Sequence, residues 1–131
     1  MRQYTTNYIN TFIEIAGDCP LVSAKSPPCK DEKTAARIEY EMLIDHPYQY
    51  TSDDVLYESH GKRKGLNRET FFSKGQPCFR ASALTKRYGW GVHSDEGGKV
   101  ALFPVESDEY KKLIADPSIK HVKAMNSQKK V

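Results

Sequence analysis

Two β-rich runs, WGVH at residues 90–93 and KVALFPV at residues 99–105, flank the five residues SDEGG. Adjacent glycines adopt positive φ without steric cost, so this segment turns tightly and the two runs pair as an antiparallel hairpin. The turn is expected at residues 94–98. Any fold for this chain must supply layers that cover such a hairpin. Immediately after it, Ser107 can cap a helix over DEYKKLIAD, and Pro117 ends that helix. The apolar alternation over residues 119–125 then reads as an edge strand.

The first half of the chain supplies the remaining elements. Residues 8–16 carry NTFIEIA, bounded by Gly17 and Asp18, and read as a strand. CPLVSAKSPPC, at residues 19–29, holds three prolines and reads as a loop. Asp31 can cap a helix reaching Asp45, with Ala35, Ile38, Met42 and Leu43 on its buried face, and Pro47 beyond its end. Ser52 before Asp53 and Asp54 predicts a second helix to about Arg63 with Gly65 beyond it, although Val55, Leu56 and Tyr57 also suit a strand. NRETFFSK, at residues 67–74, reads as a short capped helix stopped by Gly75. This order does not alternate strand and helix regularly, which argues against a doubly wound parallel sheet. The expected class is α+β: a small, mostly antiparallel sheet with three or four helices packed on one face.

At 131 residues the chain suits one domain, spanning residues 1–131, with residues 126–131 as a frayed tail. No apolar run approaches the roughly 20 residues needed to cross a bilayer. MRQYTTNYIN lacks the apolar stretch of a secretory signal, so a cytoplasmic location and no membrane partner are expected. Cys19, Cys29 and Cys78 are odd in number and form no CxxC pair, which predicts free thiols. The net charge of +3 is a weak excess, and its distribution says more than its size.

Residues 70–94 contain no Asp or Glu but hold Lys74, Arg80, Lys86 and Arg87 among Phe71, Phe72, Phe79, Tyr88 and Trp90. Cations beside aromatic faces suit an anionic small molecule or a single-stranded nucleic acid. Arg80, Lys86, Arg87, Tyr88 and Trp90 are therefore the candidate ligand-binding residues. The competing reading makes the aromatics core and sends the cations elsewhere. Cys78 lies in GQPCFR between basic neighbours, and His93 could serve it as a base, so these two are the candidate catalytic residues. The alternative for Cys78 is an inert, packed thiol.

Sharper motifs fail. A phosphatase loop would need Arg where Leu84 stands, GGK at residues 97–99 lacks the rest of a phosphate-binding loop, and His46, His60, His93 and His121 are too scattered to imply a metal site. No motif names a cofactor or an oligomeric state.

TFIEIAGDCP, YTSDDVL, FFSKGQPCFRAS and KRYGWGVHSDEGGKVALFPVES together resemble a family of short bacterial proteins without assigned function. The likeness runs from about Tyr8 to Met125 and implies a stand-alone single domain. It carries no activity, cofactor or catalytic residue. In that family a proline often stands where this chain has Ala83, and its loss is expected to loosen the backbone after Arg80. The functional expectation is a binding protein or small enzyme acting on an anionic small molecule. A nucleic-acid-binding module, and a structural or interaction domain without a small ligand, are the alternatives.

Overall fold

The hairpin is the centre of the sheet. In the computed structural model, which describes residues 3–29 and 32–126, its arms are β3 (Trp90–Ser94) and β4 (Lys99–Pro104). Asp95 fixes the turn by accepting from the N–H groups of Gly97 and Lys99, each at 2.9 Å, while Gly98 takes φ +79°. β1 (Thr11–Glu14) pairs antiparallel with β3, and the two-residue β2 (Tyr50–Thr51) pairs antiparallel with β4. β5 (Lys120–Lys123) forms the far edge, parallel to β1. The strand order is β2-β4-β3-β1-β5. The fold is α+β with a mostly antiparallel sheet, as the sequence predicts.

Directly opposed residues on neighbouring strands share a face. Ile13, Val92 and Leu102 therefore lie on one side, and Phe12, His93 and Ala101 on the other. The first side carries the main core, in which Ile13, Val92 and Val100 pack with Leu43, Val55, Phe79 and Leu84. Those partners come from α1 (Ala35–Ile44), α2 (Ser52–Leu56), the 3-10 turn Phe79–Ala81 and α4 (Ala83–Lys86). The expectation that all helices share one face needs correcting. α5 (Asp108–Ala115) covers the second face, where Phe12 would otherwise be bare. Tyr110 sets its ring edge-on to Phe12 at 5.0 Å and accepts at its hydroxyl from the N–H of Ile15. Gly91 makes room for this contact, because a Cβ there would lie 2.6 Å from both Phe12 and Tyr110.

Several helix details differ from the sequence reading. Thr34 caps α1 by accepting from the N–H of Arg37, and Asp31 lies outside the described residues. The buried residues of α1 are Glu39 and Leu43, whereas Ala35, Ile38 and Met42 are only half-buried. Thr51, not Ser52, caps α2, closing a reciprocal capping box with Asp54. Residues 55–57 are helical rather than strand, and the helix continues through a π-helical turn, Tyr57–Gly61, and a 3-10 turn, Lys62–Lys64. Gly65 ends it at φ +73°. α3 (Arg68–Phe71), capped by Asn67, stops short of Gly75. The expected frayed tail falls largely on residues 127–131, outside the described residues. Among the described residues, no helix is long and apolar enough to cross a membrane.

Candidate functional site

Trp90 was expected to stack on a ligand, but it is a core side chain. It is 8% exposed, packs beside Tyr40 at 5.5 Å and donates its indole N–H to the carbonyl of Lys25. An alternating strand turns Trp90 and Val92 inward together, which is why the tryptophan cannot face solvent. Tyr88 is half-buried against the same core. Lys86 ends α4, and Arg87, just after it, is exposed. Arg80 donates from Nε to the carbonyl of Lys123 at 2.7 Å and so ties the 3-10 turn to β5. None of the cavities described below is lined by Arg80, Lys86, Arg87, Tyr88 or Trp90. The acids Glu39, Glu41, Asp53 and Asp54 contact other residues instead.

The two catalytic candidates are also separated. His93 projects from the α5 side of the sheet, where its Nδ1 shares a 2.8 Å hydrogen bond with the hydroxyl of Tyr48 and its ring meets Phe103 edge-on. Burial holds the His93 imidazole below its usual range, against the weaker upward pull of Asp95 and Asp116. Cys78 lies on the opposite side, among the helices. All three cysteines are free, with Cys29 exposed and Cys19 and Cys78 partly buried.

What surrounds Cys78 is a site that the sequence reading did not assemble. On one side is Tyr8, whose hydroxyl is 3.5 Å from Sγ. Tyr8 is brought there by the preceding segment, which Asp53 clasps. The Asp53 carboxylate accepts from the hydroxyls of Thr5 and Thr6 and from the N–H of Thr6, each at 2.7 Å. Burial raises the Tyr8 phenol above its usual range, the adjacent Cys78 adds to that, and Arg80 opposes it. Cys78 and Arg80, two of the sequence candidates, therefore do meet at Tyr8.

Cys78 also borders a cavity of about 210 Å³ between α1, the π-helical turn and residues 76–82. Glu39 reaches it from α1 and is only 1% exposed. A buried carboxylate needs partners, and this one has three. Ser82 donates to Oε1 at 2.7 Å, Ser59 donates to Oε2 at 3.0 Å, and His60 Nε2 stands 3.3 Å from Oε2. The π-helical turn places Ser59 and His60 together on the carboxylate, and such turns recur at functional sites. Gly61 lets that turn pack closely, since a Cβ would lie under 3.0 Å from both Tyr57 and Phe71.

A second depression adjoins this cavity. His60 and Lys64 line the cavity and also line this open depression of about 350 Å³, which includes Arg63 and Glu32. These cations belong to SHGKRKGLNR, at residues 59–68, a second acid-free stretch denser in charge than residues 70–94. That density was the signal available in the sequence. Lys62 and Arg68 are engaged by Glu58 and Asp54, at 3.3 and 2.8 Å.

Comparison with known proteins gives a family without an activity. No curated protein and no solved structure matches the chain. The description that does match, over residues 3–130, is that of a family of unknown function, DUF6157. The match covers nearly all of the 131 residues and agrees with the resemblance carried by the motifs around Cys78 and the hairpin. The chain belongs to this family, DUF6157.

Proposed function

We propose that the protein binds a small anionic molecule in the cavity beside Cys78. The observation that carries this reading is the continuity of its lining. His60 and Lys64 border both this cavity and the more open depression that holds Arg63, so the cations of the two form one continuous rim. The inner wall is apolar at Leu56, Phe71 and Ala81, and Ser82 and Gln76 supply polar groups. A mostly apolar cleft with a few fixed polar atoms is the usual build of a small-ligand site. The volume suits a molecule of a few heavy atoms. The Glu39 carboxylate is turned to Ser59, Ser82 and His60, which leaves Lys64 as the charged group for an incoming anion.

The test is thermal denaturation of the protein against a panel of small carboxylates and phosphate monoesters. A ligand at 100 times its Kd stabilises the fold by about 2.7 kcal/mol. The shift is expected to shrink in Lys64→Ala and to weaken with added salt, since part of the attraction is screened. Equal shifts in the parent and Lys64→Ala proteins would remove the rim from the binding site. The nucleic-acid alternative relied on Trp90 and Tyr88 as stacking platforms, and their packing against the core leaves it without that support.

A further inference from the structure

We infer that Cys78 is a covalent nucleophile toward small acyl esters, with His60 as its proton acceptor and Glu39 as the residue that positions His60. This deepens the proposed function, because it uses the same cavity and takes the bound molecule to be an acyl donor. Three observations converge. Cys78 and His60 line one cavity from opposite segments, residues 76–82 and the π-helical turn. Glu39, buried and anchored by two serine hydroxyls, sits 3.3 Å from Nε2 of His60. The nearby carboxylate attracts a proton on Nε2, the ring nitrogen facing it at 3.3 Å, which leaves the lone pair of the neutral ring on Nδ1. Finally, the hydroxyl of Tyr8 lies 3.5 Å from Sγ and can donate to a sulfur gaining negative charge. A nucleophile, a base and a group that orients the base are the three parts required for covalent catalysis of this kind.

The chemistry balances without a further reagent. The thiol gives its proton to Nδ1 of His60, and Sγ bonds to the ester carbonyl carbon. The C–O bond to the alcohol breaks, and the departing alkoxide takes the proton back from the imidazolium. The products are a thioester on Cys78 and a free alcohol. Water, deprotonated by the same imidazole, then attacks the thioester, releases the carboxylic acid and restores the thiol. His93 has no part in this, since it faces Tyr48 and Phe103 across the sheet.

The experiment uses p-nitrophenyl acetate, a neutral ester, so that its outcome does not depend on recognition of an anion. The full chain is mixed with the ester, p-nitrophenolate is followed, and acetylated cysteines are located by mass spectrometry of peptides. The exposed Cys29 is the internal reference. The expected result is acetylation of Cys78 well ahead of Cys29, with a p-nitrophenolate burst that vanishes in Cys78→Ser. In His60→Gln and Glu39→Gln the burst rate should fall by about 100-fold, the usual scale for losing a positioned base. Circular dichroism melting of each variant separates this from unfolding. Glu39→Gln keeps the volume, an oxygen that accepts from one serine and an amide N–H from which the other can accept, but no longer fixes the tautomer, so its rate should fall with little change in melting temperature. Cys78 acetylating no faster than Cys29, or a burst unchanged in a folded His60→Gln protein, would overturn the inference. Binding of an anion that survives such a result would leave the proposed function standing alone.

Discussion

Glu39 is the residue whose role differs most from its sequence pattern. Ala35, Ile38, Met42 and Leu43 mark one apolar buried face for α1, and Glu39, four residues from both Ala35 and Leu43, is the acid in the middle of that face. In the fold it is as buried as Leu43, because Ser59 and Ser82 come from elsewhere in the chain to bond it. Its removal should therefore matter more than a surface charge. Glu39→Ala is expected to destabilise the protein by about 1–3 kcal/mol, since the buried Ser59 and half-buried Ser82 hydroxyls lose their acceptor. Urea denaturation should show a lower midpoint at unchanged slope, and a midpoint equal to the parent's would refute this account. Nothing in the sequence marks Glu39 as partnered, because Ser59 is 20 residues away and Ser82 is 43 away. Trp90 reverses the same lesson. Its basic neighbours suggest a surface, but strand alternation puts it in the core.

At the scale of elements, the segment after Arg80 is more firmly held than the absence of a proline suggests. Ser82 caps α4 by accepting from the N–H of Leu84 at 3.1 Å, and Thr85 donates to the carbonyls of Phe79 and Ser82. Ala83 is the first residue of that helix, a position whose N–H has no partner within the helix and where proline is favoured. Ser82 is extended at φ −72° and ψ 143°, which is the conformation a following proline requires. Ala83→Pro is accordingly expected to stabilise the protein by about 0.4–1 kcal/mol, mainly by restricting the unfolded chain. A lower denaturation midpoint would show that the ring does not fit there. Among the elements, the hairpin, α5 and the stop at Gly65 are legible from local signals, because Gly, Ser and Pro act on their own neighbours. The π-helical turn is not legible, since it is fixed by what Ser59 and His60 touch.

For the whole molecule, the sheet separates two groups of titratable side chains. Cys78, His60 and Glu39 lie among the helices of one face, and His93 with Tyr48 lies on the face that α5 covers in part. The second group makes stability depend on pH. Burial lowers the folded-state pKa of His93, so the unfolded chain holds the proton more tightly. Between the unfolded value of about 6.5 and the lower folded value, stability falls as pH falls. This contribution is fully present above the unfolded value and is lost through the folded one. Melting temperatures measured from neutral to mildly acidic pH should fall less steeply in His93→Gln than in the parent, and identical slopes would assign the dependence to other groups. By itself the sequence determined the α+β class, the hairpin, the free thiols and the family, since turn residues, periodicity and long motifs are local properties of the chain. Only the tertiary structure decided that Cys78 keeps company with His60, Glu39 and Tyr8 rather than His93. Which face of a sheet a side chain takes, and which distant hydroxyl satisfies a buried charge, depend on contacts between segments that local sequence does not record.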